Sequence, residues 1–389
     1  MHINVRILGK AVRAYWTPAL TTPRRWLYGH AFTFGLLLPI TAGVQVIRGL
    51  DHLLFSKFKR TEVREPVFVI GNPRSGTTYL HRLLCMDDER FTYVKLWHTM
   101  FPAITAYRSI ERIAAIDAAL GGLLGRVVKF VERRAFGGWD DIHAAGFNRA
   151  EEEESLFIHS WSTPSMMMFH PFPDQLDELD ILDRMPAKER AGAMRAHRTS
   201  VQRHLFAEGS GRQFLSKNVF MCGRLHSLLD TYPDAKFIHI VRHPYEAVAS
   251  TCSMFSLPWQ FHSPDIDVKS ERTQYWARLA MRQYRYMLEE QGNVAADQIV
   301  TIRYDDLIAD PRGTLEHCYR QLGMEMSSSF RDRLRFEAAR QREYRSQHAY
   351  TLEDFGLTRD QVYEELRDVF EAYGFDRDYA IEEVRGEAG

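Results

Sequence analysis

Pro66-Val-Phe-Val-Ile-Gly-Asn-Pro-Arg-Ser-Gly-Thr-Thr-Tyr-Leu-His-Arg-Leu-Leu84 sets the architecture of the chain. Val67 to Ile70 is a short apolar run between turn formers, the pattern of a strand buried on both faces. Gly71-Asn72-Pro73-Arg74-Ser75-Gly76 carries neither helical nor strand periodicity. From Thr77 onward Leu80, Leu83 and Leu84 fall on one helical face. Strand, glycine-bearing loop and helix in that order aim several backbone N–H groups at one anion. The helix N-terminus adds partial positive charge there.

The spacing of Gly71 and Gly76 ahead of Thr77-Thr78 is similar to the nucleoside-triphosphate P-loop, with one deciding difference. Position 77 is threonine, so the lysine that reaches the terminal phosphates of a triphosphate is absent, and the cation sits inside the loop at Arg74. Pro-Arg-Ser-Gly-Thr-Thr after a buried strand resembles the 5′-phosphosulfate loop of sulfotransferases, which use 3′-phosphoadenosine 5′-phosphosulfate (PAPS). The resemblance implies an α/β, P-loop NTPase-like three-layer fold with a mostly parallel central sheet and helices on both faces. It also implies that Arg74, Ser75, Gly76, Thr77 and Thr78 bind the donor.

Further segments extend the match from about Glu62 onward. Lys236 to Val241 reads as a buried strand with Arg242 at its end, followed by a helix over Glu246 to Met254 that carries Ser250. A fixed guanidinium and a hydroxyl there can share a phosphate through charge-assisted hydrogen bonds. The order arginine, proline, serine is similar to the family's 3′-phosphate signature. Two phosphate sites on neighbouring strand ends suit a 3′,5′-bisphosphate better than a triphosphate. Lys217 closes another short strand, where the family places a lysine beside the phosphosulfate; Val219 stands where the pattern has proline. Tyr304, after the strand Ile299 to Ile302, matches a nucleotide-contacting tyrosine. Arg345 precedes a segment, His348 to Leu357, that resembles the family's closing motif over the donor and is expected to reach the 3′-phosphate.

On the acceptor side, Leu96-Trp97-His98-Thr99-Met100-Phe101-Pro102 resembles a segment in which related families carry Trp-Glu, the glutamate serving as base. His98 stands in its place, and a neutral imidazole with a pKa near 6.5 can accept a proton at pH 7. His98 as a hydrogen-bonded pocket residue is the other reading. Glu151 and Glu152 begin a run of four glutamates, preceded by His143 and Gly146 at a spacing similar to the same subgroup. Either is the alternative base, its pKa raised by burial and like charge. The competing reading is a solvated first turn of helix that complements the dipole. Trp161 to Pro173 reads as an adaptable Met/aromatic wall, lining an acceptor pocket or, more commonly for such a stretch, forming core, and Phe255 to Pro264 as an irregular lid or acceptor loop.

The chain has 389 residues, 45% hydrophobic and 26% charged, enough for a substantial core. A formal net charge of −1 argues against nucleic-acid binding. The four cysteines show no Cys-x-x-Cys pairing and read as reduced thiols of a cytoplasmic protein. No metal-ligand spacing of Cys or His stands out, and no metal is expected. Residues 1–60 differ from the sulfotransferase-like domain, 61–389. No Asp or Glu occurs before Asp51, and Ala31 to Ile47 carries no charge. The segment suits a helix lying peripherally on the cytoplasmic membrane face, or one packed on the body or on a second copy in a homo-oligomer.

The expected reaction is therefore transfer of a sulfuryl group from PAPS to a hydroxyl, or less readily an amine, of a small-molecule or lipid acceptor. Adenosine 3′,5′-bisphosphate is the second product. Arg74 and Lys217 hold the transferring group, with His98 as base. The rivals are a P-loop kinase, which needs a phosphate-chain lysine and a magnesium carboxylate, and a non-catalytic nucleotide-binding scaffold.

Overall fold

The computed structural model describes residues 3–136, 150–209, 211–341 and 350–379. Five strands form one sheet: β1 (Val67–Ile70), β2 (Phe91–Tyr93), β3 (Gln213–Lys217), β4 (Lys236–Val241) and β5 (Ile299–Arg303). Their order is β2-β3-β1-β4-β5, and every neighbouring pair is parallel. Side chains alternate along the central strands as a pleat requires. Phe68 and Ile70 of β1, with Phe237 and Val241 of β4, enter one core. Val67 and Val69, with Ile238 and Ile240, enter the other. Helices cover both faces, so the strands read as continuous apolar runs. The expected three-layer α/β architecture is what the chain adopts.

The register fixes the site. Val69 pairs with Lys217 and Ile70 with His239, so β1, β3 and β4 end at one edge. Parallel sheets gather ligands at that edge. The turn after β1, Lys217, Arg242 and Tyr304 all stand there.

Residues before the sheet form helices: α1 (Val5–Tyr15), α2 (Pro23–His30), a π-helical stretch Ala31–Leu37 and α3 (Leu38–Leu54). From Pro23 to Leu54 they make a continuous helical rod of 32 residues, long and apolar enough to cross a membrane. The rod is nevertheless tied along its length to the body. Arg25 pairs with Asp265, Thr41 meets His159, Arg48 donates to Ser200, and Asp51 pairs with Arg203. The inward face of α3 is mainly polar (Thr41, Arg48 and Asp51, with Val44), while Val46, Leu50, Leu53 and Leu54 face outward. This reverses the usual amphipathic order.

After β1 comes α4 (Thr77–Leu84), and after β2 come α5 (Leu96–Met100), α6 (Ile104–Ala119), α7 (Leu123–Phe136) and α8 (Glu154–Ile158). Asp51 reaches across to accept from the backbone N–H of Ile104 and Thr105, capping α6.

Candidate active site

The turn after β1 is held by its neighbours as well as by its own sequence. Arg74 adopts φ of 67° and Gly76 φ of 89°. A Cβ at Gly71 would lie 2.6 Å from the carbonyl oxygen of Ile240, and one at Gly76 2.4 Å from the Tyr304 ring. Only glycine lets β4 and Tyr304 approach this closely. Asn72 Nδ2 donates to the Ala280 carbonyl at 2.9 Å, pinning the loop to the long helix Glu271–Glu290. The left-handed turn at Arg74 brings its Nε to 2.9 Å from Ser250 Oγ, on the helix Pro244–His262. A non-glycine residue in this region stores strain of the kind found at ligand-binding turns.

Arg242 completes the cluster. Its Nη1 donates to the Arg74 carbonyl at 3.1 Å, its Nε to Glu246 at 2.8 Å, and its guanidinium lies 4.6 Å from the centre of the Tyr304 ring. Tyr284 donates to the Arg242 carbonyl at 2.7 Å. Arg74, Ser250, Arg242 and Tyr304 thus meet around Gly76, at the N-terminus of α4. The first N–H groups of that helix, from Thr77 and Thr78, have no carbonyl partner within it. Backbone donors, two guanidiniums and a hydroxyl converge, which suits anionic oxygens.

Lys217, at the end of β3 and almost wholly buried, donates to Thr78 Oγ1 at 3.2 Å and pairs with Glu152. The cation lacking at position 77 is therefore supplied from the neighbouring strand. The four glutamates are not a solvated helix turn, and that expectation is corrected. Only Glu154 lies within α8, and Glu151, Glu153 and Glu154 are all buried. Glu153 accepts from Ser216 at 2.5 Å and faces His197 Nε2 at 3.1 Å. Glu154 accepts from Ser165 at 2.8 Å and Asn218 at 2.6 Å, and pairs with Arg224 at 3.3 Å. Burial raises the Glu154 pKa, opposed by Arg224. Buried carboxylates are tolerated because each has partners. Apart from Ser165 those partners lie far away in sequence, so local pattern could not have found them. Glu152, on the bridge between them, turns to Lys217 and stays partly exposed.

His98 has a different setting. The Lys95 N–H donates to its Nδ1 at 3.1 Å, so the neutral ring carries its hydrogen on Nε2. The ring packs against Trp97, Tyr107 and His204, and burial pushes its pKa down to about 2, with His204 adding to the effect. A ring with Nδ1 engaged and Nε2 protonated is neutral but has no free lone pair. Arg345, His143 and Gly146 lie outside the described residues. The segment Phe255 to Pro264 is not an irregular loop: up to His262 it continues the helix from Pro244 through Pro258. Trp259, which donates to the Met167 carbonyl at 2.8 Å, buries that turn. Of its two readings the Met/aromatic stretch takes the core one, with Trp161, Met166 and Met167 fully buried. Among the described residues no group of His, Cys, Asp and Glu is arranged to hold a metal.

Comparison with known proteins gives a consistent result. The chain is 28% identical over 365 residues to the omega-hydroxy-beta-dihydromenaquinone-9 sulfotransferase Stf3 of Mycobacterium tuberculosis, covering 91% of this chain and 85% of that protein. The same protein of Mycobacterium bovis matches equally. The fold is similar to that of sulfotransferase STF1 of Mycobacterium tuberculosis, with a TM-score of 0.70, 22% identity, and 94% and 92% of the two chains covered. It is also similar to STF9 of Mycobacterium avium, with a TM-score of 0.67, 17% identity, and 97% and 98% covered. The family model described as "Sulfotransferase family" matches residues 66–328, more than half of the chain, and it takes in both anion-facing turns, Lys217 and Tyr304. This chain belongs to the sulfotransferase family and is a sulfotransferase.

Proposed function

We propose that the enzyme moves the sulfuryl group of PAPS to the hydroxyl of a hydrophobic alcohol, and that Glu152 takes the acceptor's proton. The observation that carries this reading is the Lys217–Glu152 pair beside Thr78, at the strand edge where the Arg74 turn opens. The loop N–H groups, Thr77 and Thr78 suit the 5′-phosphosulfate. Arg242 and Ser250, already linked through Arg74, suit the 3′-phosphate. In one in-line displacement the acceptor oxygen bonds to sulfur as the bond from sulfur to the phosphate oxygen breaks. The hydroxyl proton passes to Glu152, and adenosine 3′,5′-bisphosphate leaves. Lys217 stabilises the charge that grows on the departing oxygen, an effect worth on the order of 10²-fold. Proton removal contributes roughly 10²–10⁴-fold.

Glu152 suits the role better than His98. Its carboxylate is partly exposed at the strand edge, whereas His98 Nδ1 already accepts a backbone hydrogen bond. Glu151 is buried, with its own N–H bonded to the Val94 carbonyl. A hydrophobic acceptor is favoured by the relative named for an omega-hydroxylated dihydromenaquinone and by the outward apolar face of residues 1–60. We read that segment as a peripheral contact with the cytoplasmic face of a membrane. The test is incubation of the protein with PAPS labelled in the sulfate and, separately, a cell lipid extract and a polar extract, alongside calorimetry with adenosine 3′,5′-bisphosphate and with ATP-magnesium. Bisphosphate binding and label in the lipid fraction are expected. Label in the polar fraction alone ends the lipid reading, and tighter binding of ATP-magnesium than of bisphosphate ends the donor assignment.

A further inference from the structure

We infer that the α6–α7 hairpin is a membrane-insertion element, which seats the enzyme on an anionic bilayer with the acceptor side of the site at its root. From Glu111 to Val131 every residue except Asp117 and Gly122 is exposed. The root of α6 is buried in the body through Ile104, Ala106 and Tyr107, but its outer half packs on α7, and this part of the pair has no core of its own yet carries large apolar side chains around its tip. Leu120, at the turn, is 81% exposed, and Ile116, Leu123, Leu124, Val127 and Phe130 are all more than half exposed. A contiguous apolar surface of this kind marks a contact site on a soluble protein.

The surface is held in place. Asp117 accepts from the N–H groups of Leu124 at 2.8 Å and Gly125 at 2.7 Å, capping α7, while Asp51 caps α6 and pairs with Arg203. Charge identifies the occupant. Described side chains of the hairpin include Arg108, Arg112, Arg126 and Lys129 against Glu111 and Asp117, and Asp117 is engaged as the cap. Exposed Lys57, Lys59 and Arg60 follow the outward leucines of α3, whose Asp51 joins it to the root of α6. An apolar tip with cations behind it matches acyl chains under anionic headgroups, the arrangement of interfacial helices.

The hairpin's place in the chain connects it to the chemistry. It departs after α5, which holds His98, and the chain returns at Ala150, which bridges to Lys95. Glu151 and Glu152 follow at once. An element inserted in the bilayer is thus rooted beside the proposed base, so that an alcohol at the membrane surface meets Glu152 without leaving it. This last step rests on the lipid-acceptor reading above; bilayer docking itself rests on the hairpin's surface.

The test is flotation of the full chain with vesicles of phosphatidylcholine alone and of phosphatidylcholine with phosphatidylglycerol. It compares wild type, the triple variant Leu120→Asp, Leu124→Asp, Val127→Asp, and the double variant Leu27→Asp, Leu36→Asp in the N-terminal segment. Wild type is expected to float with the anionic vesicles, and the triple variant to lose at least tenfold in bound fraction. Its bisphosphate affinity and melting temperature should stay at the wild-type values. Turnover on a short, water-soluble alcohol should be unchanged, while turnover on a vesicle-embedded alcohol falls. Equal flotation of the triple variant overturns the inference, even where the double variant detaches and the N-terminal contact stands. A wild-type dimer in solution that the triple variant splits, with no vesicle binding, gives the hairpin to a second copy and also overturns it. Flotation lost as expected, with label found only in the polar extract, leaves the docking intact and ends the lipid-acceptor reading instead.

Discussion

The two sides of the cleft hold their charged groups by different means. Around Gly76, Arg74, Ser250, Arg242 and Tyr304 are linked by short contacts between loops and helix starts at adjacent strand ends, and all four come from segments that are legible as motifs. Around Glu152, position is set from behind. Glu153 and Glu154 are locked into the core by Ser216, His197, Asn218 and Arg224, which leaves the residue before them at the mouth of the site. A nucleotide donor presents the same anions to every member of a family, so a local constellation serves it. An acceptor pocket is shaped by tertiary packing, and its residues carry no such signature.

Acid is the bluntest way to separate the two sides. The group around Gly76 relies on arginines, which stay charged. The other side and its surroundings bury neutral histidines: burial lowers His81 to about 3, His98 to about 2, His159 to about 4 and His204 to about 3. The unfolded chain binds protons on these rings below a pKa near 6.5 while the folded chain does not, so stability is lost as pH falls from there toward the folded values. Between pH 7 and 5 four such rings cost on the order of 7 kcal/mol. The carboxyl of Asp180, raised to about 6 by burial, and those of Asp87 and Glu154, also raised by burial, act in the opposite direction and offset part of this loss. Melting scans should show a steep fall in Tm below pH 6.5, and a flat profile down to pH 5 would mean that these rings are not held neutral.

The proposed base gives the next largest effect. Glu152→Gln keeps a hydrogen-bonding partner for Lys217 but cannot take a proton, so kcat should drop by roughly 10²–10⁴-fold. Bisphosphate affinity should remain within about threefold of wild type, because the groups around Gly76 are untouched. A variant with wild-type kcat would move the base elsewhere. Arg242→Lys probes the opposite side. Lysine has no planar fork to reach Glu246 and the Arg74 carbonyl at once, nor a flat face for Tyr304. Bisphosphate affinity should weaken by about 10-fold to 100-fold by calorimetry. Unchanged affinity would remove Arg242 from the donor site.

How much of this was legible in the chain follows the same division. The strand, turn and helix at Val67–Leu84 and the strand ahead of Arg242 are local patterns, and each falls where periodicity put it. Phe255 to His262 was misread because Pro258 looks like a breaker, yet the buried Trp259 and its bond to Met167 hold the helix through it. The glutamate run was misread because His197, Ser216, Asn218 and Arg224, which hold it, lie roughly 40 to 70 residues away. The inverted polarity of α3 was hidden for a related reason. Arg48 and Asp51 look like solvent-facing charges until Ser200 and Arg203 are brought beside them.

His98 tests the comparison with the smallest effect. As an unsupported side chain in a cleft it would be an ordinary candidate base. Here it sits three residues after Lys95 and accepts that residue's N–H, the position and task that glutamine or glutamate usually fills at a helix start. His98→Gln therefore keeps the backbone partner, fits a similar space and removes the imidazole. If the ring serves α5 and its packing against Tyr107 and His204, kcat should stay within about threefold of wild type, while His98→Ala loses about 1 kcal/mol of stability with the cap. If the ring is the base, both variants lose 10²-fold or more in kcat, and glutamine rescues nothing. The two substitutions together separate holding the acceptor side in shape from acting on the acceptor, which turnover of either variant alone would confuse.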